Sequence, residues 1–278
     1  MPELFDLHSH STCSDGALSP EELVTAANNA GVTHFALTDH DTVTGIASAR
    51  QTAERVGMTL ITGVEFSSQW RNRGVHIVGL GFDEHHPVIT QAMAKMASVR
   101  QSRSEQIADK LQKLGIANAL EGAKRHANGG LVGRPHFAAY LLEMGAVKNF
   151  NQAFKRYLGA GKAGDVKHQW PEMDEVVQWI HASGGAAVMA HPLKYDLTRT
   201  KRIALLNDFK ACGGIAVEVI SGSDQTAQDT RDLVAISNDL GLLASIGSDF
   251  HGPDMPWQAL GKTGTLPPAA NPVWQVWS

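Results

Sequence analysis

The residues with most chemical capacity in this chain are histidines and carboxylates arranged in short clusters. His8-Ser9-His10, Asp39-His40-Asp41, Glu65, His76, His191-Pro192 and Asp249-Phe250-His251 are spread from one end of the sequence to the other. Alternate residues leaving a strand point the same way, so the imidazoles of His8 and His10 can meet one cation. Asp249 and His251 repeat that spacing. Mixed imidazole and carboxylate ligation suits Zn, Mn or Fe and disfavours a thiophilic metal. A carboxylate such as Glu65 can bridge two cations. Two cations about 3.5–4 Å apart clamp the attacking and leaving oxygens of an in-line displacement at phosphorus. One His-x-His pair carries little weight alone; the full set at successive strand ends argues for a metal cluster. His34 reads as packing at a strand start, and His85, His86, His126 and His181 as solvated positions.

The elements that must position these residues alternate along the chain. Leu4 to Leu7 forms a short apolar strand that opens into His8. Ser19-Pro20-Glu21-Glu22 reads as a helix N-terminus with Pro at its first position, closed by Gly31. A strand from His34 to Thr38 ends at Asp39-His40, and a helix from Val43 stops at Gly57. Met58 to Ile61 runs on to Glu65, and Val75 to Leu80 carries His76. From 86 to 161 the spacing turns helical, around Val88 to Leu114, Glu121, Phe137 and Gln152. Alternation then resumes: helix from Met173, strand Ala186 to Ala190, helix near Arg202, strand Ile215 to Ile220, helix Gln225 to Leu240, strand Leu242 to Ile246. Such alternation predicts parallel pairing through right-handed crossovers. Seven strands predict an α/β fold, an irregular seven-stranded (β/α) barrel with a helical insertion. Residues 1–85 and 162–278 would form the barrel, and 86–161 would cap it. Barrels of this kind carry their active sites at the C-terminal strand ends.

Composition narrows the function. The 278 residues are 43% hydrophobic and 19% charged, which excludes a disordered chain. The 24 Lys and Arg against 28 Asp and Glu argue against a sequence-blind duplex binder, which needs a basic face. Cys13 and Cys212 form no CxxC pair, so no disulfide framework or cysteine zinc cluster is expected; Cys13 reads as a small loop residue and Cys212 as core. The first residues lack a cationic start and an apolar run, and no stretch reaches 18 apolar residues, so the expected location is the cytoplasm. The Pro- and Gly-rich tail from Gly252 is expected to be ordered by packing of Trp257, Trp274 and Trp277.

The motifs together resemble a known family. His8-Ser-His10 with Asp15-Gly16, Thr38-Asp39-His40-Asp41, Gly63-Val64-Glu65, His76, Ala190-His191-Pro192 and Gly247-Ser-Asp249-Phe-His251 match the polymerase-and-histidinol-phosphatase (PHP) family in order and spacing. Within it, the chain is most similar to the nucleoside 3′,5′-bisphosphate phosphatases, which include ribonuclease AM-like 5′-to-3′ exoribonucleases. That similarity is carried by Val75-His-Ile-Val-Gly-Leu-Gly, Gly133-Arg134-Pro135-His136-Phe137, Tyr157-Leu158-Gly-Ala-Gly161-Lys162 and Val219-Ile-Ser221-Gly-Ser223. The resemblance implies two or three divalent metals, Mn first with Fe or Zn as alternatives. His8, His10, Glu65 and Asp249 would hold one, Asp15, His40 and His251 a second, and Glu65, His76 and His191 a third. Many relatives have histidine where this chain has Asp15, which leaves the count open. Turnover is expected to depend on Glu65, His191 and Asp249.

A bisphosphate needs donors for its second phosphate. Arg134 offers a planar fork for bidentate phosphate contact, with His136 two residues on. Lys162 lies in a Gly-rich turn, with Lys167 and His168 close behind. Trp70 reads equally as a base-stacking platform or as core, and Ser221 and Ser223 as phosphate contacts or helix caps. Arg71 and Arg73 read as a charged turn. The resemblance implies hydrolysis of the 3′-phosphate from nucleoside 3′,5′-bisphosphates, such as adenosine 3′,5′-bisphosphate to AMP. Trimming of short 5′-phosphorylated RNA is the natural extension. The expected partners are therefore a small nucleotide or short RNA, with neither duplex DNA nor membrane. Alternatives are a histidinol-phosphatase-like phosphomonoesterase, a proofreading-type exonuclease module and a non-catalytic metal-binding module.

Overall fold

A computed structural model describes residues 3–167 and 170–277. Seven strands lie in the order of the sequence: β1 (Phe5–Asp6), β2 (His34–Leu37), β3 (Thr59–Trp70), β4 (Arg73–Leu80), β5 (Ala186–Met189), β6 (Ala216–Ser221) and β7 (Leu243–Gly247). The Leu7 N–H donates to the Ile246 carbonyl at 3.0 Å, so the chain just past β1 meets β7 and the sheet curls into a nearly closed barrel. Helices α1 (Pro20–Asn29), α2 (Ile46–Val56), α7 (Met173–Ala182), α8 (Arg199–Ala211) and α9 (Ala227–Asp239) complete the α/β alternation. Local chemistry explains their ends. Ser19 and Glu22 form a reciprocal capping box with Pro20 at the first turn of α1, and Gly57 closes α2 in the left-handed region at φ 73°.

One expectation about pairing fails. β1–β2–β3 and β5–β6–β7 are parallel, but β4 runs antiparallel to both β3 and β5. The cause is the connection: Trp70 pairs with Arg73 across a turn whose two central residues, Arg71 and Asn72, have φ 46° and 62°. Two left-handed residues make a tight hairpin, and a hairpin cannot return a strand in parallel. Reversal has a useful consequence. The N-terminal half of β4, with His76, comes to the mouth where its neighbours' C-terminal ends collect. β3 also runs five residues past Glu65, so Glu65 lies within a strand rather than at its end.

The insertion begins with α3 (Pro87–Lys113), which serves two cores. Ile89, Ala92 and Met96 pack into the main barrel core, whereas Ile107 and Leu111 enter a separate apolar cluster. That cluster includes Ala123 of α4 (Ala119–Ala127), Phe137 and Leu141 of α5 (Arg134–Glu143), Ala153 of α6 (Phe150–Ala153) and Leu158 of a π turn, Phe154–Leu158. It extends to Val166. At the far end of the barrel Trp274 stacks on Phe5 with ring centroids 3.9 Å apart. Trp257 does not share in that packing; it is 47% exposed.

Candidate active site and metal centre

The mouth of the barrel gathers the histidines and carboxylates into one buried cluster. His8 Nε2 and His10 Nε2 lie 3.2 and 3.3 Å from Glu65 Oε2, and 3.5 and 3.2 Å from Asp249 Oδ1. A tetrahedral cation with bonds of about 2.1 Å has donor–donor edges of about 3.4 Å, so these four groups are spaced for one ion. His8 Nε2, His10 Nε2 and Glu65 Oε2 are buried and lack hydrogen-bond partners. A protein seldom leaves three such atoms unsatisfied, and a cation would satisfy all of them. Asp15 Oδ1 lies 3.5 Å from His251 Nε2, and Asp15 Oδ2 3.8 Å from His40 Nε2, which makes a second group. Around Glu65 a third group forms: His76 Nδ1 and His191 Nε2 lie 2.8 Å from its Oε1, and His40 Nδ1 lies 3.0 Å from its Oε2. The 2.8 Å spacings are hydrogen-bond lengths, so this group is less prepared for a cation than the first.

Backbone strain and buried carboxylates hold the cluster. His191 and Asp249 sit at φ 27° and 54°, where non-glycine residues rarely lie unless the surroundings enforce it. The Asp249 N–H donates to the His8 carbonyl (2.8 Å), and the His191 N–H to Glu218 Oε2 (2.7 Å). Glu218 Oε1 also lies 3.1 Å from His8 Nδ1. This is the carboxylate–histidine arrangement that fixes the tautomer of a ligating imidazole. A Cβ on Gly247 would fall 2.3 Å from His8 Cβ and 2.7 Å from Glu218 Oε1, which explains the glycine before Ser248-Asp249. Asp39, grouped with the ligands above, faces elsewhere: its carboxylate accepts from Ser11 N–H, Ser11 Oγ–H and Ser14 Oγ–H at 2.6–2.7 Å. It pins the loop that carries Asp15.

Electrostatics follow from this crowding. Burial disfavours the charge on Asp249, yet His8, His251, His10 and Lys194 hold its carboxyl well below the usual range. Burial likewise opposes a proton on His10, but the Asp249 and Glu65 carboxylates beside it push it up to about 10. Lys194, in a short 3-10 turn Pro192–Tyr195, donates to Asp249 Oδ2 and is raised despite burial.

A cavity of about 770 Å³ opens beside the cluster, lined by Asp15, His40, His76 and His191 at one side. At another lie three arginines: Arg100 and Arg103 against Trp170, and Arg134 over the Phe154 ring. Arg100 is held by Asp41, whose Oδ2 accepts from Nε at 2.6 Å. Arg103 is 7% exposed, and its Nε has no partner. Burial, with Arg134 and Arg100 close by, pushes its guanidinium down to about 10. Burial also lowers Arg134.

The structure places the other expected contacts unevenly. Arg134 lines the cavity. His136 is buried beneath it, with Nδ1 accepting from the Gly133 N–H at 2.9 Å, so it caps α5 instead of facing the cavity. Lys162 is exposed on a turn and is not among the lining residues. Trp70 belongs to the core: it is 8% exposed and its Nε1–H donates to Asp208 Oδ2 at 2.8 Å, which removes it as a stacking platform. Ser221 lines a smaller adjoining pocket of about 230 Å³ with His191, Lys194 and Glu218. His168 lies outside the described residues. Sequence reasoning missed Glu218, Lys194, Arg100, Arg103 and Trp170.

A family model for the PHP domain matches residues 6–181, more than half of the chain. The chain belongs to the PHP domain family. This PHP protein is 46% identical over 275 residues to a 5′-3′ exoribonuclease of Haemophilus influenzae, with 99% of each chain covered. It is 43% identical over 276 residues to the 5′-3′ exoribonuclease Rnm of Escherichia coli, covering 99% of this chain and 94% of that one. It is 41% identical over 271 residues to a 3′,5′-nucleoside bisphosphate phosphatase of Chromobacterium violaceum, covering 97% and 95%. Among solved structures, an amidohydrolase from Chromobacterium violaceum with bound sulfate and no metal superposes with TM-score 0.91 at 40% identity, covering 98% and 95%.

Proposed function

We propose that this chain is a divalent-metal phosphoesterase that removes the 3′-phosphate from nucleoside 3′,5′-bisphosphates and trims short 5′-phosphorylated RNA from its 5′ end. One observation carries the reading: a metal-ligand cluster and a wall of three arginines, Arg103 buried and Arg100 and Arg134 half-buried, share one cavity, so two phosphates of one substrate can be held at once. The names of the similar proteins point to the same two substrates.

His8, His10, Glu65 and Asp249 would hold the first cation, Asp15, His40 and His251 the second, and His76 and His191 with Glu65 a third. Manganese is the proposed metal, with iron or zinc as alternatives. Bound metals would polarise the phosphoryl oxygens and activate water for in-line attack. Everything else falls to the chain's own residues. Arg134 and Arg103 bind the 5′-phosphate through charge-assisted bonds, and Arg100, fixed by Asp41, adds a third positive charge. Lys194 stays charged on the cavity wall and offsets negative charge building on the reacting phosphoryl group. Glu218 keeps His8 and the His191 backbone in place. The bond that breaks is P–O3′, the same in a bisphosphate and in RNA; the departing 3′-oxygen takes a proton from a cavity histidine. Residues 86–161 act as the cap, since Arg100, Arg103 and Arg134 all come from it. The enzyme works in the cytoplasm, where nucleotides and RNA ends are available.

The test is the dependence on the second phosphate. Replacing Arg134 by Ala should raise KM for adenosine 3′,5′-bisphosphate about 10- to 200-fold, the worth of a charged contact of about 1.5–3 kcal/mol. Equal losses on 3′-AMP would remove Arg134 from that role.

A further inference from the structure

A bisphosphate is satisfied by the arginine wall and the metal cluster, yet the cavity has another wall of which those two engage Lys194 alone, through Asp249. It is built from Asn72, Arg73 and Gly74 at the β3–β4 hairpin and from Lys194, Tyr195 and Asp196 after β5. We propose that this wall is a subsite for the RNA phosphate one nucleotide downstream of the scissile one, with Arg73 as its donor. The inference rests on the phosphoesterase reading above.

The placement is built. Arg73 lies three residues before His76 on β4, about 10 Å along the strand from the metal cluster. One Arg73 Nη1–H donates to the Tyr195 carbonyl at 2.6 Å, which fixes the guanidinium on the wall. A guanidinium has five N–H donors, so the fork retains capacity for a phosphate. Tyr195 in turn accepts from the His76 N–H at 2.8 Å, so the Arg73 anchor is tied to the cluster. Asn72 stands at φ 62° at the hairpin tip and adds a neutral amide. Arg71 takes no part, because Asp208 holds it at 2.8 Å on the other side of the hairpin. Asp196 is the one acid on this wall; Arg73 and Lys194 outnumber it.

The chemistry sets the direction. Water attacks phosphorus, the P–O3′ bond breaks and the 3′-oxygen of the first nucleotide leaves with a proton. The phosphate therefore stays on the 5′-oxygen of the next nucleotide, and the rest of the RNA hangs from the reacting phosphorus. It must pass out of the cavity away from the 5′-phosphate wall, and the hairpin wall is where the cavity continues.

The experiment is a substrate ladder read as first-nucleotide release. Wild type, Arg73→Ala and Asn72→Asp are compared on adenosine 3′,5′-bisphosphate, a 5′-phosphorylated dinucleotide and a 5′-phosphorylated trinucleotide, with Mn²⁺. Only the trinucleotide carries a phosphate beyond the scissile one. The ratio of kcat/KM on trinucleotide to that on bisphosphate should fall about tenfold in Arg73→Ala and severalfold in Asn72→Asp, which keeps the Arg73–Tyr195 bond. For wild type, the slope of log kcat/KM against log salt should be steeper on the trinucleotide by about 0.7, and Arg73→Ala should erase that excess. Unchanged ratios in both variants, or proportional loss across the whole ladder, would overturn the subsite. A wild type that turns over neither the bisphosphate nor the oligonucleotides would overturn the phosphoesterase reading and the subsite with it.

Discussion

Arg103 is a costly charge for the cavity to hold. It is 7% exposed, close to two other arginines, and held below its ordinary basicity by burial. The fold carries that cost in the absence of an anion, so Arg103→Met should raise thermal stability by on the order of 2 kcal/mol while lowering kcat/KM for the bisphosphate at least tenfold. Melting curves with and without inorganic phosphate check the first half: phosphate should stabilise wild type more than the variant. Glu218→Gln should weaken Mn²⁺ binding about 10- to 100-fold without unfolding the protein, since Glu218 acts through His8; titration calorimetry reads it directly. At this scale the sequence was legible wherever motif spacing carried the residue, as with His8, His10, Glu65 and Asp249. It was silent on Glu218, Arg100 and Arg103, which stand in ordinary strand and helix contexts and acquire a role only through partners distant in the chain. Trp70 and Trp170 make the same point. Both are tryptophans near chemistry-bearing residues, and only the fold turns one to Asp208 and the other to the arginines.

Helix α3 joins the two halves of the machine. Its first turns belong to the barrel core and its last turns to the second apolar cluster, the core of the proposed cap, and Arg100 and Arg103 lie between. Loosening the cap end should therefore misplace the phosphate wall while leaving the metal cluster intact. Leu111→Ala removes a fully buried side chain from the cap core, at a cost of about 2–5 kcal/mol. It should raise KM for the bisphosphate more than it changes turnover of a substrate with a single phosphate; steady-state kinetics on the pair would show equal losses if the cap had no part in recognition. Periodicity made α3 readable within a residue at each end, and Glu121, Phe137 and Gln152 each fall inside one of the three helices that follow it. The direction of β4 was not readable, because a strand's alternation carries no sign. The sequence left residues 66–74 between Glu65 and Val75; the fold extends both strands until only Arg71-Asn72 links them, too short for a crossover.

Across the whole molecule, a net charge of −4 coexists with a cationic wall inside the barrel mouth. Such a distribution favours small anions or single-stranded ends that enter the cavity over duplexes that need a basic face. No helix among the described residues is long and apolar enough to cross a membrane. Cation binding should stabilise the native state alone, so Mn²⁺ at 100 times its dissociation constant should add about 2.7 kcal/mol to unfolding, and Asp249→Ala should lose most of that gain. The measurement closest to the central claim is phosphate release by Mn²⁺-loaded protein from adenosine 3′,5′-bisphosphate and, in parallel, from 3′-AMP. A strong preference for the bisphosphate is the predicted result, because Arg103 and Arg134, unlike Arg100 with its Asp41, form no ion pair among the described residues until a 5′-phosphate arrives. Equal or faster release from 3′-AMP would contradict it and turn the site into that of a phosphatase for substrates with one phosphate.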